Sequence, residues 1–529
     1  MGEGVPEDKA RGAALYRRAA AGGYARAQCN LGFCYLRGIG VERDEVQAVH
    51  WLEQAAEQDF PRALDLLGDC AADGVGMEAD QARAVEYYRQ AAELDYPVSM
   101  VSLGLCYERG DGVEADAAKA LELYCKGGKR GDLAGACNAG YCYLTGIGVE
   151  ADPVKAIPWL KRAAELNFPR ALDLLGDCAW NGDGVPQDDK AAAAYYRRAA
   201  EQGYAPSLTS LGLCYELGRG VEEDKRRAAE LYRQAAEQGY AYAQCNLGYC
   251  YLHSIGVERD TVQAVHWLEQ AAAQNHGRAL YLLGSCCLNG DGTEQDDQRA
   301  VECYQRAVAR NYTPAMAGLG YYYETGRVVP KDEARAAELY RKAAEDGYAY
   351  AQCNLGRCCL YGTGVPVDAA EGAAWLRKAA DQGHSEARYR LGRCLVLGEH
   401  IKGDAREGET LLRQAAEDGH VQAQSLLGRL YMNGDRLRRN DREAVVWLTR
   451  AAEQDDPAGL FLLGECCAKG LGLDRDLRRA EELYCRAAEL GDPDAAKALK
   501  GLRASAAREP GEVRKKGGLK GLLDKFRGK

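Results

Sequence analysis

Nowhere in these 529 residues does an apolar run approach the ~20 residues that a membrane-spanning helix needs. The opening segment carries no apolar stretch behind a basic start, so no secretory leader is read. Strand formers are sparse and alanine recurs at helical spacing, which excludes a β fold and favours an all-helical chain. Catalytic signatures are missing as well: S-x-x-K, G-x-S-x-G, H-E-x-x-H and the phosphate-binding G-x-x-x-x-G-K-[ST] do not occur. The stretch Asp111-Gly-Val-Glu114-Ala-Asp116 lacks the alternating ligands and final Glu of a calcium loop, and adjacent pairs such as Cys286-Cys287 lack zinc-ligand spacing. No metal, no cofactor and no enzymatic activity are therefore expected. Basic charge is also short. The net of −11 argues against nucleic acid as a main partner, because that binding runs on phosphate neutralisation. From Ser505 to Lys529 there are eight basic and three acidic residues, a net of +5, which leaves −16 on the rest. These features favour a cytoplasmic chain.

What the chain does have is a clock. Thirteen glycines stand 36 residues apart, from Gly32 through Gly68, Gly104, Gly140, Gly176, Gly212, Gly248 and onward to Gly464. Every one but Gly140 follows a leucine. A fixed period of this length is the mark of a stacked repeat array. Within the unit that opens at Tyr24, Ala27, Leu31 and Tyr35 form one helical stripe, and Gly38 supplies a left-handed stop. Asp44 is placed to cap a second helix, whose buried stripe is Ala48, Trp51, Leu52, Ala55 and Ala56. A glycine inside a helix costs about 1 kcal/mol relative to alanine. At Gly32 that cost is expected to reflect close approach of another backbone where two helices cross.

The recurring pattern A-x-x-x-L-G-x-x-Y-x-x-G-x-G-V, followed by D-x-x-K-A-x-x-W/Y-Y-x-K-A-A-E-x-G, resembles the Sel1-like repeat family. Its clearest copy runs from Pro206 to Gly239, with Leu211, Gly212, Tyr215, Gly218, Gly220, Val221, Asp224, Ala228, Tyr232, Ala235 and Ala236. The resemblance covers nearly all of residues 1–503. It implies an all-α, right-handed α/α superhelical solenoid of 36-residue helix-turn-helix repeats, related to tetratricopeptide arrays. It also implies a scaffold or adaptor for protein or peptide partners. Residues 1–23 read as a partial repeat holding only the second helix, 24–490 as thirteen repeats, 491–503 as a capping helix and 504–529 as a basic tail. The mid-repeat start fits a fragment of a longer protein, a misplaced start or an end that is itself an interface. Two other implied roles are a secreted or host-directed effector and the penicillin-binding, β-lactamase-like activity of a cysteine-rich branch. That branch pairs a cysteine of the first helix with one ending the second, and here the second helix mostly ends Ala-Ala.

A longer period lies above the short one. Trp51, Trp159, Trp267 and Trp375 are 108 residues apart, as are Asn30, Asn138, Asn246 and Asn354. The segment PRALDLLGDC occurs twice, at Pro61 and at Pro169. Duplication of a three-repeat block explains this, and so does a partner of matching periodicity. Eleven of the 21 cysteines sit two residues after the repeat glycine. Stacked helices lie about 8–10 Å apart, whereas a disulfide needs Cα atoms within about 7 Å. The column therefore reads as small buried thiols in a reducing compartment.

In related arrays the first helix lines the concave face. The tetratricopeptide ligand positions carry over to −6, −3, +1 and +4 from the repeat glycine, a spacing that shares one helix face. This stripe selects Arg62, Asp65 and Asp69, then Tyr141, then Arg170, Asp173, Asp177 and Trp180, and later Tyr249, Tyr281, Tyr321, Arg357 and Arg393. The paired carboxylates at i, i+4 repel unless water or a cation intervenes. The expected groove is acidic and apolar in its N-terminal half and more basic after about residue 350, with aromatic anchors as hot spots and charges setting register. A merely solvated charged face is the alternative. In the tail, Leu519, Leu522, Leu523 and Phe526 share one helical face beside Lys516, Lys520, Lys525 and Arg527. That stretch fits a solvated tail, docking to a partner or contact with an anionic membrane.

Overall fold

The computed structural model describes residues 8–506, a succession of twenty-eight helices with no strand among the described residues. The tail stretch and the first seven residues lie outside them. Two compact units, Met1–Gln295 and Asp296–Lys529, divide the chain. Within each, helices pack on their sequence neighbours.

One repeat shows why these residues form these elements. The first helix is Pro169–Asn181 and the second Asp189–Ala200. Pro169 begins the first, where its missing N–H and fixed φ cost nothing. Gly182 ends it at φ 87°, donating its N–H to the Cys178 carbonyl. Asp188 opens the second helix, its carboxylate accepting from the N–H groups of Lys190 and Ala191, each at 3.0 Å. Asp44, Asp80, Asp116, Asp152 and Asp224 cap other second helices in the same way. The C-terminal helix runs Pro493–Ala506, longer than the cap expected from sequence.

The repeat glycine faces a side chain more closely than a backbone. A Cβ on Gly176 would stand 2.4 Å from Cε1 of Tyr196, and one on Gly140 would stand 2.6 Å from Cδ2 of Leu160. At Gly68, Gly104, Gly212, Gly248 and Gly428, as at these two, the residue twenty positions on, a Tyr or Leu of the second helix, lies across the first. A backbone atom comes second: the Ala48 carbonyl would be 3.0 Å from a Cβ on Gly32, behind Cγ of Leu52 at 2.7 Å. The turn glycines serve a different contact. A Cβ on Gly220 would stand 1.9 Å from the carbonyl oxygen of Asp189, the first residue of the preceding second helix. Gly184 sits over Pro153 and Gly292 over Thr261 in the same manner. In the second unit Gly364 repeats this over Glu333, whereas Val328 and His400 hold the place with φ of 71° and 67°.

Leucines before the glycines and alanines of the second helices make the core. Leu175, Leu211 and Leu247 are buried, and Ala199, Ala235 and Ala271 are fully so. Leu175→Ala is therefore expected to cost about 2–5 kcal/mol and Ala199→Leu about 1–3 kcal/mol of overpacking. Urea midpoints like that of the parent would contradict this assignment of faces. Polar residues in the core are paired. Gln28, Gln244, Gln352 and Gln424 are buried, each donating to a carbonyl at the end of the preceding second helix. Each also accepts an amide N–H from the glutamine thirty residues later. Among the described residues no buried side-chain nitrogen or oxygen lacks a partner.

Candidate interaction surface

The acidic rows expected to line a groove are largely turned into the array. Asp65 is only 7% exposed, and its carboxylate accepts from Ser99 Oγ at 2.6 Å. In the duplicate, Asp173 accepts from Ser207 Oγ at 2.6 Å and is half-buried. The −3 position is thus enclosed between successive first helices and is not an open row; Cys29, Cys137 and Cys245 occupy it elsewhere, fully buried. Asp69 and Asp177 stand nearer the surface and accept from the hydroxyls of Tyr88 (2.8 Å) and Tyr196 (2.7 Å). The tyrosines that cross the repeat glycines supply these hydroxyls, so each carboxylate pair is met by hydroxyl donors of the chain itself. The spacing of 34 residues from Asp65 to Ser99, repeated from Asp173 to Ser207, was the sequence signal for this link.

Burial, eased by the serine hydroxyl, pushes the Asp65 and Asp173 carboxyls up to about 6. A folded-state value above the unfolded value, near 3.9, means that these groups stabilise fully below pH 4. That contribution is lost as pH rises through 6. Asn at both positions keeps the acceptor and removes the charge. The parent is expected to lose roughly 1–3 kcal/mol per carboxylate between pH 4 and pH 7.5 from these groups, and the Asp65→Asn, Asp173→Asn variant is not. Denaturant midpoints at several pH values read the difference.

The arginine rows carry a repeated arrangement. Arg62 donates from Nη1 to Asn30 Oδ1 (3.3 Å) and lies over the Phe33 ring at 5.3 Å. Arg170 does the same with Asn138 (2.7 Å) and Tyr141 (5.1 Å), and Arg278 with Asn246 (3.0 Å) and Tyr249 (4.8 Å). Three of the four asparagines on the 108-residue period thus aim one guanidinium each, whereas Asn354 donates to the Tyr350 carbonyl. Trp180 is covered by Arg219 at 3.5 Å, itself paired with Asp189 at 2.6 Å. Tyr281 is half-buried, and Tyr321 is 43% exposed.

The basic half expected after residue 350 is cancelled where it was placed. Arg357 pairs with Glu324 at 2.6 Å and Arg393 with Glu399 at 3.0 Å. Arg341, Arg377 and Arg413 each reach the glutamate thirty residues on, Glu371, Glu407 and Glu443, at 2.6, 2.6 and 3.3 Å. The sequence showed the arginines, but all these partners except Glu399 lie about one repeat away.

All twenty-one cysteines are free thiols, buried except for Cys125 and Cys485, and burial raises Cys178 and Cys214 to about 11. Such thiols are protonated and poor nucleophiles at neutral pH. No group of three or more His, Cys, Asp or Glu placed to hold a metal ion occurs among the described residues, and no helix is long and apolar enough to cross a membrane.

With this geometry in view, the comparisons with known proteins agree with it. The Sel1 repeat model matches fourteen consecutive stretches, from 1–24 and 25–60 through to 457–492. The crystal structure of c5321, a protective antigen of uropathogenic Escherichia coli strains displaying an SLR fold, is similar at 29% identity and a TM-score of 0.58, covering 96% of this chain and 99% of that one. A Sel1 repeat protein from Oxalobacter formigenes is 29% identical over 58% of this chain and 89% of its own, with a TM-score of 0.43. Comparison with curated protein sequences gave no match. Sel1 repeat arrays generally mediate protein–protein interaction. On the fourteen matched repeats and the helix pairs that fill them, this chain belongs to the Sel1 repeat family.

Proposed function

We propose that this chain is a non-catalytic scaffold that holds segments of partner proteins along the face lined by its first helices. The observation that carries this reading is the threefold Asn–Arg–aromatic arrangement, which sets side chains at a regular interval with no catalytic grouping attached to them. Tyrosine and arginine are also the residues most often found as binding hot spots. A cytoplasmic setting suits the array, because free thiols persist where disulfides are kept reduced. A host-directed role is the second reading, favoured by the likeness to c5321, a protective antigen.

The test uses the purified chain as bait in a lysate of its own source, beside an Asp69→Lys, Asp177→Lys variant, with captured proteins identified by mass spectrometry. Partners lost in the variant support the scaffold and place its site on the first-helix face. Partners kept by both support the scaffold and move the site to the turns or the tail. An empty capture removes the reading of an intracellular scaffold and leaves the host-directed one. A nitrocefin assay with no turnover disposes of the β-lactamase-like alternative.

A further inference from the structure

Several arginines that bridge repeats in this chain find carboxylates. Arg219 takes Asp189, Arg357 takes Glu324 and Arg413 takes Glu443. Arg278 does not. Its Nη1 donates to Asn246 and its plane lies over Tyr249, yet no carboxylate among the described residues comes within ion-pair distance. Arg62 and Arg170 are built alike, but each shares its helix with a pair of aspartates at the next two positions of the stripe. At Arg278 those two positions are Tyr281 and Ser285. The corresponding place one super-period on is Glu386, and there the chain supplies the counter-charges itself, from Arg390 at 2.5 Å and His420 at 2.7 Å. Arg278 is therefore an oriented guanidinium whose ion-pair partner the chain leaves out.

The two first helices before it carry exposed apolar residues. Leu213 and Leu217 are 37% and 52% exposed, and Tyr242 is 59% exposed. These residues occupy the −6, +1 and +5 positions of successive first helices, as do Tyr249 and His253. The rings support one another: Tyr242 meets His276 edge-on at 4.5 Å and Tyr240 at 5.5 Å, while Tyr249 lies 4.3 Å from His253. The single carboxylate of this stretch of face, Glu216, is held by the Tyr232 hydroxyl at 2.7 Å. The residues run over three consecutive repeats of the first unit.

We infer that this patch docks a partner-protein segment that presents an acidic side chain beside an apolar one. The carboxylate pairs with the Nε–Nη2 edge of Arg278, and the apolar neighbour settles against Tyr242, with Leu213 and Leu217 continuing the apolar face on the preceding first helix. A planar guanidinium already fixed by an amide and a ring loses little freedom on pairing, which favours a two-point carboxylate contact. The inference rests on the scaffold reading and names the chemistry of its ligand.

The probe is a library of random twelve-residue peptides displayed against the full chain, followed by fluorescence polarisation of the enriched peptides. Enriched peptides are expected to share an Asp or Glu next to Leu, Phe or Tyr. Their affinity should fall at least tenfold in Arg278→Leu, and also in Arg278→Lys, which keeps charge but lacks the fork. Arg219→Leu, which removes a paired arginine, should leave affinity unchanged. Thermal melts confirm that all three variants fold. A basic or absent consensus, or peptides that bind Arg278→Leu as well as the parent, overturns the inference. If lysate capture survives that outcome, the scaffold stands without this ligand; if both fail, the scaffold reading goes with it.

Discussion

Gly220→Ala is expected to remove about 4 kcal/mol or more from the stability of the array, while Gly218→Ala, two residues earlier, removes about 1 kcal/mol. Both glycines have left-handed backbones, at φ 72° and 67°, so both substitutions carry that conformational strain. They differ in what an added Cβ meets. At Gly218 the nearest atom is the Glu223 Cβ at 3.3 Å, and Ser254 already holds the equivalent place in the next repeat. At Gly220 it is the Asp189 carbonyl oxygen at 1.9 Å, backbone of the neighbouring repeat. No rotamer relieves that overlap; the two repeats must shift at this seam, an adjustment built in where Val328 and His400 hold the equivalent place but not around Gly220. Because array stability is nearly a sum of repeat and nearest-neighbour terms, the loss should appear as an early partial transition and not a uniform shift. Denaturation of both variants followed by circular dichroism decides it. Equal losses would show that turn strain alone sets the cost.

Asp65→Lys and Asp173→Lys are the next most damaging changes expected, at about 3–5 kcal/mol for the more enclosed Asp65. The enclosed site offers a serine hydroxyl and the like charge of Arg62, and the Asp69 carboxylate one turn on is already held by Tyr88, so a buried ammonium there is poorly compensated. Asp69→Lys and Asp177→Lys, closer to solvent, should cost far less. The distinction matters for any binding experiment. Reversing all four charges at once would weaken the fold and imitate the loss of a partner. Thermal melts of the single variants separate the two groups. An Asp65→Lys protein melting with the parent would show that the carboxylate is not enclosed.

Much of the fold was readable from the chain. The glycine clock, the Asp caps and the left-handed stops are local, and a helix face follows from spacing within one repeat. The stripe expected to line the groove shows where that reading stops. Asp65, Tyr141 and Arg357 fall on it by periodicity, yet Asp65 is sealed against Ser99, Tyr141 lies beneath Arg170 and Arg357 is spent on Glu324. Their partners are 29 to 34 residues away, and the stagger between repeats that joins them is a packing outcome, not a helix periodicity. The repeat glycine is a milder case. Its need for space was clear, but whether a backbone or the ring of Tyr196 fills that space depends on side-chain volume across the crossing.

The two copies of PRALDLLGDC have a further consequence. If Pro61–Cys70 were joined directly to Ala179, the chain would shorten by the 108-residue super-period. Asp65 would then find Ser207 where Ser99 had been, and Gly68 would lie under Tyr196 in place of Tyr88. The contacts that tie one repeat to another span no more than one unit, so the seam would be indistinguishable from the rest. A single in-frame crossover between these stretches therefore yields a shorter protein that folds by the same rules. Heredity can edit the number of guanidinium stations on the face without renegotiating the architecture, and the reach of the molecule becomes a variable set by recombination.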